Sequence, residues 1–279
     1  MPASQIAALG AIAGLTIYLG LPLGRLRTPA PRLKTFLNGV AIGILIFLLW
    51  DVLSNAWAVT DDSLSAHHYL RATGYGALTL GGVGVGLLGL VYFDRWMSSR
   101  TRRLRPEGPG AATARPAALP SGKAAARVRA LQLSMMIAIG IGLHNFGEGL
   151  AIGASAAAGR ISLAILLIIG FGAHNATEGF GVVGPLAGAG ERPSWARLGV
   201  LGLIAGGPTF VGTIVGQQVT SPALMVAFLA LAAGSILYVV IELLAVARAS
   251  GFKVLVSWAL LLGLVLGFVT DAIVSAAGA

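Results

Sequence analysis

Runs of mostly apolar residues recur along the chain, near 3–24, 36–59, 74–96, 130–157, 161–187, 196–218, 222–247 and 253–276. Each is long enough for a helix to cross a bilayer core, which takes about 20 residues at about 1.5 Å per residue. The runs are continuous, not alternating, so the pattern predicts eight transmembrane helices and not a β-barrel. The third and sixth contain the glycine-rich stretches GGVGVGLLGL and GLIAGGPTFVGTIVG, which suit close helix packing.

Composition agrees with this reading. Hydrophobic residues make up 56% of the 279 and charged residues only 10%, against about 25% charged in soluble domains. A soluble enzyme, a disordered chain and a nucleic-acid binder all fit these numbers poorly. There is no cysteine, which removes disulfides, thiolate metal sites and cysteine nucleophiles from consideration.

The charges set an expected orientation. Seventeen of the 19 Lys and Arg fall between helices 1 and 2, 3 and 4, 5 and 6, or 7 and 8, leaving Arg71 and Arg160 on the other side. Basic loops stay cytoplasmic, so both termini are expected outside the cell, extracellular or periplasmic. The net charge of +9 is thus mainly a topology signal, with attraction to anionic lipid headgroups as a second consequence. The expected organisation is one transmembrane transport domain over 1–279. Residues 98–124, rich in Pro, Ala and Arg, are expected to form a flexible basic cytoplasmic loop.

Ionisable residues inside the apolar runs carry the chemistry. They are Asp51, His144, Glu148, His174, Glu178, Glu242 and Asp271. An acid facing lipid at mid-bilayer costs roughly 2.5–3.5 kcal/mol, so these groups must face each other, water or a cation. Four of them repeat a pattern, HNFGEG at 144–149 and HNATEG at 174–179. His and Glu four residues apart share one helix face, and AAAGRIS (156–162) between the two helices reads as a tight turn. A turn centred at Ile161 would set His144 opposite Glu178 and Glu148 opposite His174. A turn centred at Gly159 would set the histidines opposite each other. Either way two imidazoles and two carboxylates converge, a set that suits zinc, iron or manganese as divalent ions. The plain alternative is a pair of His–Glu hydrogen bonds that hold helices together.

At these residues the chain resembles the ZIP (Zrt-, Irt-like protein) family of divalent metal transporters, whose motif helices read HNFPEG and (H/Q)-(N/D/E)-x-P-(E/H). AAGSILYVVIELL (232–244) is similar to the family's seventh helix. The resemblance implies an all-α, eight-helix membrane bundle in a 3+2+3 arrangement, with the motif helices between two inverted repeats. Here Gly147 and Thr177 replace the motif prolines, Asn175 stands where several relatives have an acid, and Gly207 precedes Pro208 where many relatives have Glu. One metal site is therefore expected instead of two.

The expected metal-site residues are His144, Asn145, Glu148, His174, Asn175 and Glu178. An asparagine oxygen can bind the ion or orient a neighbouring ligand. Asp51 and Glu242 are candidate way-stations on the transport pathway, while Asp271 reads as a helix-end acid. TDDSLSAHH (60–68) reads as a solvated outer loop, and Trp57, Tyr92, Trp96, Trp195 and Trp258 as interfacial anchors.

The expected function is transport of a divalent transition metal into the cytoplasm, zinc first, with iron, manganese and cadmium as other cargoes. The ion is substrate: no resident cofactor and no catalytic residue is expected. The alternative is an intramembrane metallohydrolase, although HExxH is absent. The lipid bilayer and the metal ion are the expected partners, nucleic acid is not, and a homodimer is one assembly open to such a bundle. Sixteen Arg against 3 Lys, with abundant Ala and Gly, points to a GC-rich genome and so to a bacterial plasma (inner) membrane.

Overall fold

The computed structural model describes residues 2–25, 31–103, 122–159, 161–219 and 221–276. Among these, the chain is all-helical, and we number eight long helical segments. α1 spans Ala3–Arg25, ending in a short 3-10 turn. It is followed by α2 (Pro31–Ser65), α3 (Tyr69–Arg103), α4 (Gly122–Ala157) and α5 (Ile161–Gly188). α6 (Trp195–Gly216), α7 (Pro222–Ala249) and α8 (Lys253–Ala276) complete the bundle. Seven of the eight are long and apolar enough to cross a membrane. The remaining one, α5, has 28 residues and carries the second motif. The chain is an all-α, multi-pass membrane protein.

Several helices outrun their apolar cores. α2 begins at Pro31 and continues to Ser65, so most of TDDSLSAHH is the last turn of a helix and only a three-residue turn remains. In that turn His67 takes a left-handed φ of 59° and lies 3.2 Å from the Tyr69 hydroxyl. Helical propensity does not stop where hydrophobicity does, so apolar runs locate the bilayer segment and not the helix ends. α3 and α4 likewise extend into 98–103 and 122–124, and 104–121 of the expected loop lies outside the described residues.

Packing follows a two-fold pattern. α8 packs on α2 as α3 packs on α7, α4 lies against α6 as α5 lies against α1, and α2 touches α7 at the centre. This is the contact map expected of two three-helix repeats around a central pair, α4 and α5. Glycines make the matched contacts possible. A Cβ on Gly43 of α2 would lie 2.1 Å from the Leu260 carbonyl oxygen, and one on Gly86 of α3 would lie 2.3 Å from that of Leu231. Backbones this close leave no room for a side chain, which is how membrane helices gain dispersion contacts without a hydrophobic driving force.

Tight turns fix the register. α4 joins α5 through Gly159 (φ +76°) and α7 joins α8 through Gly251 (φ +76°), a conformation glycine adopts without steric cost. At the other junction of α1, Arg25 donates to the Pro193 carbonyl and stacks 4.6 Å over the Trp195 ring. The end of the first helix is thereby tied to the start of α6.

Candidate metal centre

The two motifs meet inside the bundle, and all six of their expected ligands are buried. His174 on α5 hydrogen-bonds Glu148 on α4. His144 Nε2 lies 3.0 Å from Glu148 Oε1 and 3.8 Å from Glu178 Oε1, and the two imidazole rings are 6.2 Å apart between centroids. His144, Glu148 and His174 offer ligand atoms within 4.8 Å of one another. Glu178 adjoins this trio through His144.

The pairing is the one expected for a turn centred at Ile161, yet the left-handed turn residue is Gly159. The helical Cα–Cβ bond accounts for part of the difference, because it tilts toward the helix N-terminus. On α4 that direction leads away from the turn, and on α5 it leads toward it. The side chains therefore shift past each other in the direction that moves the effective centre from Gly159 toward Ile161. Each imidazole thereby has a carboxylate beside it, His174 with Glu148 and His144 with both Glu148 and Glu178.

Several buried atoms here have no hydrogen-bond partner among the described residues. They include His144 Nδ1, Glu148 Oε2 and both oxygens of Glu178. Unpaired buried polar atoms are costly, and in this case they are nitrogen and oxygen donors crowded into one volume. Such a donor set fits a borderline divalent ion with mixed imidazole and carboxylate ligation.

The remaining motif positions anchor the pair to its flanking helices. Asn145 donates its amide to the Ala205 carbonyl of α6 at 3.0 Å, and Asn175 donates to the Ala13 carbonyl of α1 at 3.2 Å. A carbonyl acceptor requires the NH₂ end of each amide, which leaves both Oδ1 atoms buried and unpaired. Each motif glycine faces the same flanking helix. A Cβ on Gly149 would lie 2.2 Å from the Thr209 carbonyl oxygen of α6, and one on Gly179 would lie 2.5 Å from that of Ile17 in α1. His and Glu thus point at each other while Asn and Gly seat the helix.

Both motifs lie within unbroken helix. Thr177, where relatives carry proline, donates its hydroxyl to the His174 carbonyl at 2.6 Å. Gly207 stands apart from the centre: a Cβ there would meet only the Leu203 side chain, at 3.4 Å. The residue instead lines a lateral cavity of about 660 Å³ with Leu15, Phe146 and Phe210.

The candidate way-stations lie on either side. Asp51 is half-buried on α2, accepts a 3.1 Å hydrogen bond from Asn55, and interacts electrostatically with His144, His174 and Asp271. Asp271, read from sequence as a helix-end acid, is therefore a neighbour of Asp51. Glu242 is half-buried on α7 and interacts with Asp94 of α3. Asp94 in turn accepts from Gln132 at 2.7 Å. Asp94 and Gln132 were not singled out in the sequence, because both sit at the ends of apolar runs where polar residues are ordinary.

The family model for the ZIP zinc transporter matches residues 119–274, which is more than half of the chain and includes both motifs. The chain belongs to the ZIP family, whose membership implies metal-ion transport. No curated protein matches it.

Proposed function

We propose that this protein carries a divalent transition-metal ion, zinc foremost, across the plasma membrane of a bacterium into the cytoplasm. The supporting observation is the convergence of His144, Glu148, His174 and Glu178, with unpaired donor atoms, between two helices that separate two three-helix repeats. A site between repeats can be exposed to either side by rocking one repeat against the other, which is the requirement for alternating access.

One ion per chain is the stoichiometry that charge supports. Two carboxylates balance one divalent cation, and a second would leave two uncompensated charges in a low-dielectric interior. Asn145 and Asn175 contribute oxygen dipoles and no charge. Asp51, with Asp271 beside it, serves as the station on one side of the centre, and Glu242, with Asp94, as the station on the other. Family membership favours a carrier over the hydrolase reading, and no separate general base is needed for transport.

Both termini lie outside in this account, with the basic ends of the helices in the cytoplasm. Cysteines placed singly at Ser65 and Ser99, both exposed, test this in a chain that has none of its own. Labelling from outside should reach position 65 and not position 99. Uptake of zinc, iron, manganese and cadmium isotopes by vesicles containing the purified protein tests the function itself. Saturable uptake of at least one is expected, and uptake no faster than by empty vesicles would overturn the proposal.

A further inference from the structure

We propose that the crevice where α2, α7 and α8 meet at the basic end of the bundle binds one anionic phospholipid. Arg32, Arg248 and Lys253 hold its phosphate, and an acyl chain lies between α7 and α8. The proposal rests on the membrane-spanning fold and is independent of the metal-transport reading.

The crevice arises from the packing. α8 lies along α2 and scarcely touches α7, although the Gly251 turn joins the two directly. They diverge, and a groove of about 430 Å³ opens between them. Leu244, Val256 and Leu260 form its walls, with Arg248 and Lys253 at its mouth. Gly251 and Lys253 also border an adjoining crevice of about 500 Å³ that Arg32 lines. The Arg32 guanidinium sits 5.8 Å over the Phe252 ring, which holds it at this mouth. Trp258 stands on the same rim and is 67% exposed, an amphipathic ring at the level where headgroups meet acyl chains.

Among the described residues the ion pairs involve Arg127 and the central histidines, and none involves Arg32, Arg248 or Lys253. Three cations with no counter-ion among the described residues, at the end of membrane-spanning helices, attract phosphate groups, and guanidinium forks match phosphate oxygens in pairs. A free phosphate ion would satisfy the mouth and leave the apolar groove unfilled. A phospholipid satisfies both parts, so the groove selects the lipid over the ion. The cluster also selects among lipids, because three positive charges repel the choline of a zwitterionic headgroup.

Native mass spectrometry of the full chain, equilibrated with equal amounts of phosphatidylglycerol and phosphatidylcholine, tests the proposal. Wild-type protein should retain phosphatidylglycerol with a preference of about a hundred-fold at low salt, the order expected for three basic side chains near a headgroup. R32Q/R248Q/K253Q should lose most of that preference, and Arg71→Gln, at the opposite end, should keep it. No preference in the wild type, or one unchanged in the triple variant, overturns the proposal. Displacement of the lipid by millimolar inorganic phosphate also overturns it, in favour of a simple ion site. A second measurement needs no charge removal. Phosphatidylglycerol brominated in its acyl chains should quench the wild type more than Trp258→Phe, and equal quenching of the two would contradict a chain lying in this groove.

Discussion

His174 of α5 and Glu148 of α4 share a hydrogen bond across the two central helices, both buried, with His144 Nε2 3.0 Å from the same carboxylate oxygen. One carboxylate thus has an imidazole from each motif, which makes Glu148 the common member of the centre. Replacing Glu148 by Ala should lower zinc uptake by at least about 100-fold. Loss of a ligating group exceeds the 10–100-fold typical of a ligand's outer partner. His174→Ala should act similarly, whereas Asp61→Asn, on an exposed helix end, should transport at close to the wild-type rate. Near-normal uptake by Glu148→Ala in vesicles would remove it from the site.

The motif glycines should be as sensitive as the ligands, for a packing reason. At Gly149 a methyl group would lie 2.2 Å from a backbone oxygen of α6, and at Gly179 it would lie 2.5 Å from one of α1. Backbone cannot yield as a side-chain tip can, so Gly149→Ala or Gly179→Ala should each destabilise the protein by about 1–3 kcal/mol or more. Gly207→Ala, whose Cβ meets only Leu203 at 3.4 Å, should be tolerated. Thermal unfolding of the purified variants checks the contrast, and equal midpoints for Gly149→Ala and Gly207→Ala would refute it.

Metal retention should weaken as pH falls. Imidazole and carboxylate bind a metal ion only when deprotonated, so protons compete with the ion and binding releases them. Lowering the pH raises the proton concentration against a fixed amount of zinc, so the metal-free, protonated form gains. Equilibrium dialysis at pH 8, 7, 6 and 5 should show monotonic loss of bound zinc. Retention that rises toward pH 5 would exclude both histidines as ligands.

Much of this architecture was legible in the sequence, and the exceptions have physical causes. The eight helices follow from apolar length, and their all-α character from continuous runs. The meeting of His144, Glu148, His174 and Glu178 follows from the repeated spacing and the antiparallel connection. The exact pairing was not decided by the turn, because it depends on the opposite Cβ tilt of α4 and α5. The anchoring of Asn145 and Asn175 was also hidden, since their acceptors are backbone carbonyls of Ala205 and Ala13, which no side-chain pattern reveals. Asp94 was hidden, and Asp271 read as a plain helix-end acid, for a different reason. Each lies near a helix end, and its significance comes from a partner on another helix.

Position 207 gives a prediction against simple restoration of the family's pattern. Relatives with Glu before the helix 6 proline suggest that Gly207→Glu would add a metal ligand. In this fold the side chain would start out toward Leu203 and the apolar lateral cavity beside Phe146 and Phe210. Gly207→Glu should therefore leave the metal content at one ion per chain and lower stability. Two retained ions in the variant, by elemental mass spectrometry after dialysis, would show that the carboxylate reaches the centre after all.

Zinc K-edge X-ray absorption of the purified protein loaded with one equivalent of zinc tests the central claim most directly. The account predicts a shell of nitrogen and oxygen only, at about 2.0–2.1 Å, with the scattering of two imidazoles that falls to one in His144→Ala. A shell without imidazole, or one unchanged by His144→Ala, would contradict a centre shared between the two motifs.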